Sequence, residues 1–182
     1  MTKLIWVALN GGRKKLKTIS LESFSLDHTR IVAPYVRLSK RIEVPGSSYE
    51  VSVFDFRVRT PNTELLTPKV THSLEHLFAV ALRSEFEEHQ GDLKVIDVSP
   101  MGCRTGFYIT VLNRVDSLPL ERMTESVRSM LKEALEIKEL PGARLESCGG
   151  YREHDFDSAR SEIQRLSADN LVSLENPPLI NP

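Results

Sequence analysis

Apolar and polar residues alternate from Tyr49 to Val58 (YEVSVFDFRV), and the aromatic and β-branched types among them predict a β-strand. The apolar parity shifts after Val53, which indicates a bulge or a strand buried on both faces. The period then changes. Val70, Leu74, Leu77, Phe78, Ala81 and Leu82 recur at helical spacing, with Thr67-Pro68 as cap and first helical residue and Gly91 beyond the end. Leu93 to Val98 and Phe107 to Leu112 read as short strands around the turn-rich Ser99-Pro-Met-Gly-Cys-Arg-Thr-Gly106. Leu120, Met123, Val127, Met130, Leu131 and Ala134 define a second helix, stopped before Pro141-Gly142. A strand is expected near Ala143 to Ser147 and a last helix from about Asp155 to Leu166. Without a regular βαβ alternation, the predicted class is α+β: a single domain with a mostly antiparallel sheet packed against helices.

Composition narrows this picture. The chain has 182 residues, 40% hydrophobic and 27% charged, enough for one ordinary globular domain and hardly for two. Lys plus Arg is 24 against 25 for Asp plus Glu, a net charge of −1 that argues against a nucleic-acid partner. No apolar run approaches the ~20 residues of a membrane span, and Asn10-Gly-Gly with Arg13-Lys14-Lys15 interrupts any signal-peptide pattern, so no membrane partner is expected and the setting is read as cytoplasmic. Residues 1–19 read as an N-terminal extension, 20–172 as the folded domain and 173–182 as a Pro-rich tail.

The candidate chemistry centres on His72-Ser-Leu-Glu75-His76. On a helix, residues at i and i+4 share a face, so both imidazoles reach one metal ion, with Glu75 close beside them and the apolar stripe on the opposite side. Two histidines and a glutamate on a solvated face are also a common accident, and a metal centre needs a third ligand. Cys148, in Glu146-Ser-Cys-Gly-Gly150, offers a thiolate at what reads as a glycine-flanked strand end. Its plain alternative is a small buried hydrophobe. Cys103 sits beside Arg104 in a tight loop, where a neighbouring cation favours the thiolate form; the alternative is a structural turn cysteine. Ser23 to His28 reads by itself as an ordinary polar loop.

Taken together, the segments resemble the S-ribosylhomocysteine lyase (LuxS) family. The matching stretches are Leu21 to Arg30, Ala33-Pro-Tyr-Val-Arg37, Phe54-Asp-Phe-Arg57 followed by Pro61-Asn62, His72-Ser-Leu-Glu-His-Leu-Phe-Ala79, Asp97 to Tyr108, Cys148-Gly149 and His154-Asp155. The octapeptide SPMGCRTG together with HSLEH is far more specific than either alone. The resemblance implies a homodimer with active sites at the subunit interface. It gives His72, His76 and Cys148 the metal-ligand positions, with Fe2+ as the metal and Zn2+ as a substitute. Cys103 and Glu75 match the catalytic acid/base residues; Ser23, His28, Arg57 and Asp97 match substrate-binding positions, the first three reaching the pocket from the partner. The implied reaction cleaves S-ribosyl-L-homocysteine to L-homocysteine and 4,5-dihydroxy-2,3-pentanedione, the autoinducer-2 precursor of quorum sensing, through two carbonyl migrations and a β-elimination within the methionine cycle.

The first 19 residues depart from the family pattern, and Arg59 stands where many members carry a smaller or uncharged residue, a change expected at the pocket rim. Two rival readings remain at the level of sequence. His-x-x-Glu-His also marks inverzincin metallopeptidases, for which Glu146 or Glu153 would serve as the distant third ligand. A catalytically inactive metal-bound dimer is the other.

Overall fold

The computed structural model describes residues 22–88 and 93–180; the extension predicted over 1–19 lies outside them. Five strands form one mixed sheet in the order β3-β4-β2-β1-β5: β1 (Tyr35–Glu43), β2 (Tyr49–Arg57), β3 (Lys94–Pro100), β4 (Gly106–Arg114) and β5 (Val172–Ser173). Three α-helices accompany it: α1 (Pro68–Arg83), α2 (Leu120–Glu136) and α3 (Phe156–Ala168). All neighbouring strands run antiparallel except β5, which is parallel to β1.

The alternation in β2 sorts two environments. Phe54 and Phe56 point toward the helices, where the Phe78 ring of α1 packs against Phe56 and against Phe107 of β4. Asp55 and Arg57 point to the other face, beside Tyr35 and Arg37 of β1. Both faces are buried from Phe54 to Arg57, which explains the parity shift in the sequence. The bulge lies in the partner strand, between Leu38 and Lys40.

Thr67 caps α1 by accepting the Val70 N–H, with Pro68 at the first helical position; α1 continues into a π-helical turn, Ser84–Glu88. Asp155 caps α3 through the Ser158 N–H. The strand expected near Ala143 to Ser147 does not form. Hydrogen bonds from Ser147 N and Cys148 N to Arg144 O fold this stretch into consecutive turns, which Pro141-Gly142 and Gly149-Gly150 favour at either end. Residues 178–180 run against the segment after a 3₁₀ turn at Glu22–Phe24: Asp27 N–H donates to Pro178 O, Ile180 N–H to Ser25 O, and Leu26 bridges Leu179.

Candidate metal centre

Helix α1 presents His72 and His76 one turn apart, and the turn-rich loop after Pro141 folds over them. Their imidazoles meet edge to face, with centroids 4.9 Å apart. His72 Nδ1 lies 3.0 Å from Glu153 O and His76 Nδ1 2.6 Å from Pro141 O. A carbonyl only accepts, so each Nδ1 carries the proton and each Nε2 keeps its lone pair free. Orientation of metal-binding histidines by outer hydrogen bonds has this form. Gly142, at φ +69°, makes the turn that brings the Pro141 carbonyl onto His76.

Cys148 Sγ stands 3.3 Å from His72 Nε2. Two ligand atoms on a tetrahedral ion at metal–sulfur and metal–nitrogen lengths of about 2.3 and 2.0 Å lie roughly 3.5 Å apart, so the spacing fits. The sequence-predicted trio is therefore together, with Cys148 on a loop rather than at a strand end. A fourth side chain joins it: His72, His76, Cys148 and His154 place their ligand atoms within 4.8 Å of one another. Burial first, then the neighbouring His72 and His76, push the His154 imidazole down to about 4, so it is neutral. His154 entered the sequence reading only as part of a matching stretch; its spacing of six residues from Cys148 was the available signal.

Glu75 is half-buried on α1 beside His76. The carboxylate of Glu153 is 67% exposed and pairs with Lys69 at 3.6 Å; only its backbone carbonyl reaches the histidines. Neither Glu153 nor Glu146 joins the ligand group, which removes the distant carboxylate that a metallopeptidase site needs.

Of the remaining candidates, Arg57 and Cys103 meet at the face of the sheet turned away from α1. Asp55 Oδ2 accepts hydrogen bonds from Arg57 Nη2 at 2.8 Å, Arg37 Nη2 at 3.2 Å and Tyr35 Oη at 3.3 Å, a fully buried cluster. Burial opposes the Arg57 charge, and the Asp55 carboxylate more than offsets it. Arg57 Nη1 donates to Thr105 Oγ1 at 2.7 Å and faces Cys103 Sγ at 3.8 Å. Tyr108 sits opposite Asp55 in the sheet, where burial first and then the Asp55 charge push its phenol up while the Ser23 side chain works the other way. Asp97, exposed near the β3 bulge, accepts from the Ser99 hydroxyl, and His28 Nδ1–H donates to Leu26 O at 3.0 Å. The Arg59 guanidinium forks onto Glu162 of α3 at 2.9 and 2.6 Å, which commits its charge to that helix.

Two imidazoles and a thiolate converging on an α+β scaffold define a metalloprotein centre of mixed nitrogen and sulfur donors. The chain belongs to the S-ribosylhomocysteinase (LuxS) family, whose model matches residues 21–176. It is similar to two proteins named S-ribosylhomocysteine lyase, from two strains of Thermus thermophilus, each 42% identical over 147 residues, 80% of this chain and 88% of theirs.

Proposed function

We propose that this chain is an S-ribosylhomocysteine lyase, a metal-dependent carbon–sulfur lyase that converts S-ribosyl-L-homocysteine to L-homocysteine and 4,5-dihydroxy-2,3-pentanedione. The observation that carries the reading is the convergence of His72 Nε2, His76 Nε2 and Cys148 Sγ in a chain of this family. These atoms would hold one ion per subunit, Fe2+ with Zn2+ as substitute, and the ion supplies Lewis acidity to the carbonyl chemistry.

The chain's own groups move the protons. With the ribose opened to its aldehyde, the Cys103 thiolate takes the C2 proton and delivers it to C1 while the C2 hydroxyl proton passes to the C1 oxygen, so the carbonyl moves to C2. Glu75 takes the C3 proton and returns it to C2 while the C3 hydroxyl proton passes to the C2 oxygen, moving the carbonyl to C3. It then removes the C4 proton as the C5–S bond breaks and homocysteine leaves as its thiolate, and the enol left at C4 and C5 gives up its hydroxyl proton and gains one at C5 to become the dione. Ser23, His28, Arg57 and Asp97 line the substrate pocket.

A homodimer would bring the two groups together, since one chain keeps them apart. The metal-binding group hangs from α1 on one side of the sheet, while Cys103 and Arg57 occupy the other face. On that face Ile42 is 52% exposed beside its partner Val51, an apolar surface that a second copy would cover. Residues 20–172 would form the catalytic unit, with 1–19 an extension and 173–182 a tail. A reducing cytoplasm suits two free thiols, Cys103 and Cys148, that must stay reduced to function. Homocysteine release, followed with a thiol reagent on the metal-loaded protein, tests the assignment. A fully metallated protein that frees no thiol from the substrate would overturn it.

A further inference from the structure

Four donor side chains crowd a centre for which three ligands suffice, and the ring geometry separates their roles. An imidazole binds a metal along the lone pair in its own plane. His72 and His76 cross at 83°, so their lone-pair lines can meet at one point. His154 instead stacks on His72, with centroids 3.9 Å apart and planes 26° apart, so the lone pairs of those two rings lie in separate, nearly parallel layers and do not converge on one ion. Only one of the pair can be a ligand. His72 has the claim, since its Nδ1 proton is committed to Glu153 O and its Nε2 faces Cys148 Sγ.

The contacts around His154 suit a ring protonated at Nε2. Ser73 Oγ, fully buried, accepts the Asp155 N–H at 2.9 Å and can turn its own hydrogen onto His154 Nδ1 at 3.4 Å. An accepting Nδ1 puts the ring proton on Nε2, and that atom faces Cys148 Sγ at 3.8 Å. The Gly150 N–H reaches the same sulfur at 3.4 Å.

We propose that His154 is a positioning residue rather than a fourth ligand: its Nε2–H donates to the Cys148 thiolate, and Ser73 selects the tautomer that does so. Two N–H donors on one sulfur draw off part of its charge. The thiolate becomes a weaker electron donor, the bound ion stays more electrophilic, and the sulfur is aimed along one direction. This inference rests on His72, His76 and Cys148 being the metal ligands.

Nitrogen-15 imidazole spectra of the zinc-loaded protein test it without reference to turnover. His72 and His76 should be protonated at Nδ1 with Nε2 on the metal, and His154 protonated at Nε2. In the Co2+-loaded protein, the thiolate-to-cobalt absorption should move to longer wavelength in His154→Ala and in Ser73→Ala. It should return most of the way in His154→Gln, whose amide restores an N–H donor. Metal affinity in His154→Ala should fall roughly 10- to 100-fold. A His154 Nε2 bonded to zinc, or an absorption unmoved in both alanine variants, would overturn the proposal. A wild-type chain that binds neither zinc nor cobalt would remove the ligand reading itself, and this proposal with it.

Discussion

Arg57 Nη1 lies 3.8 Å from Cys103 Sγ within one chain, and the Thr105 hydroxyl stands against both, 2.7 Å from the guanidinium and 3.0 Å from the sulfur. Because Thr105 Oγ1 accepts from Arg57, its hydrogen is free to point at the sulfur, so a cation and a hydroxyl converge on one thiol. Whatever subunit supplies Arg57 to an active site supplies Cys103 as well.

Mixing inactive protomers tests that coupling. If each site takes its metal group from one subunit and its Cys103 from the other, a Cys103→Ala protomer paired with a Cys148→Ala protomer rebuilds one intact site per mixed dimer. Random reassortment should then restore about a quarter of wild-type turnover, since half the dimers are mixed and each has one good site. Activity that stays at zero after verified subunit exchange would place both groups of a site in the same chain.

Loss of a ligand should cost metal and stability together. Cys148→Ala and His72→Ala should each purify without stoichiometric metal and melt below the wild type, because an ion bound to the native state at a hundred times its dissociation constant adds about 2.7 kcal/mol. Chelation of the wild type should reproduce the drop in melting temperature, and added Zn2+ should reverse it. A fully metallated, active Cys148→Ala protein would refute its place as a ligand.

The two proton carriers should separate by isotope exchange. Glu75→Gln keeps the shape of the side chain but not its proton acceptor, so it should still exchange the substrate C2 proton with solvent deuterium while releasing little homocysteine. Cys103→Ala should do neither, with its metal retained. Proton NMR at C2 reads the difference: brisk exchange in Cys103→Ala would overturn this division of roles.

Alkaline pH should expose the buried tyrosine. Burial first, then the Asp55 charge, push the Tyr35 phenol up to about 12. The fold favours the protonated phenol, so this stabilisation is complete below the unfolded value of about 10 and disappears as pH climbs through about 12. Burial and the Asp55 charge push the Tyr108 phenol up as well, so spectrophotometric titration of the four tyrosines should show late ionisation that loses one phenol in Tyr35→Phe, whose stability should fall less steeply above pH 10. Ionisation of Tyr35 alongside exposed tyrosine in the folded protein would contradict this.

Arg59 should matter to the fold more than to the substrate. Glu162 is 5% exposed and also holds Arg165 at 2.6 Å, so Arg59→Met removes one of its two cationic partners without leaving it bare. A loss of about 1–3 kcal/mol in denaturant unfolding is expected, with the Michaelis constant nearly unchanged. A large rise in that constant with unaltered stability would return Arg59 to the pocket.

Helix α1 was legible because local signals agree there: a threonine cap, a proline at the first position and an apolar stripe opposite two histidines. Strand β1 was not, apart from Ala33 to Arg37 as a matching stretch. Its sequence, YVRLSKRIE, buries Arg37 and exposes Ile42, because the bulge after Leu38 and the Asp55 cluster override the simple alternation. Cys148 was found by type, but its surroundings were misread. The apolar and polar order of Ala143 to Ser147 resembles a short strand, whereas the glycines and Pro141 bend the chain into turns. Arg59 could be read only by comparison with the family pattern, since nothing near it in sequence points to Glu162, 103 residues away.

The pairing of residues 178–180 with 25–27 has a practical side. A bulky label attached at Leu179 or Ile180 would sit only a few residues from Ser23 and His28 and crowd the proposed substrate pocket. A handle grafted at the turn between β1 and β2, where Gly46 and Ser47 are exposed beyond the sheet, would leave that pairing undisturbed.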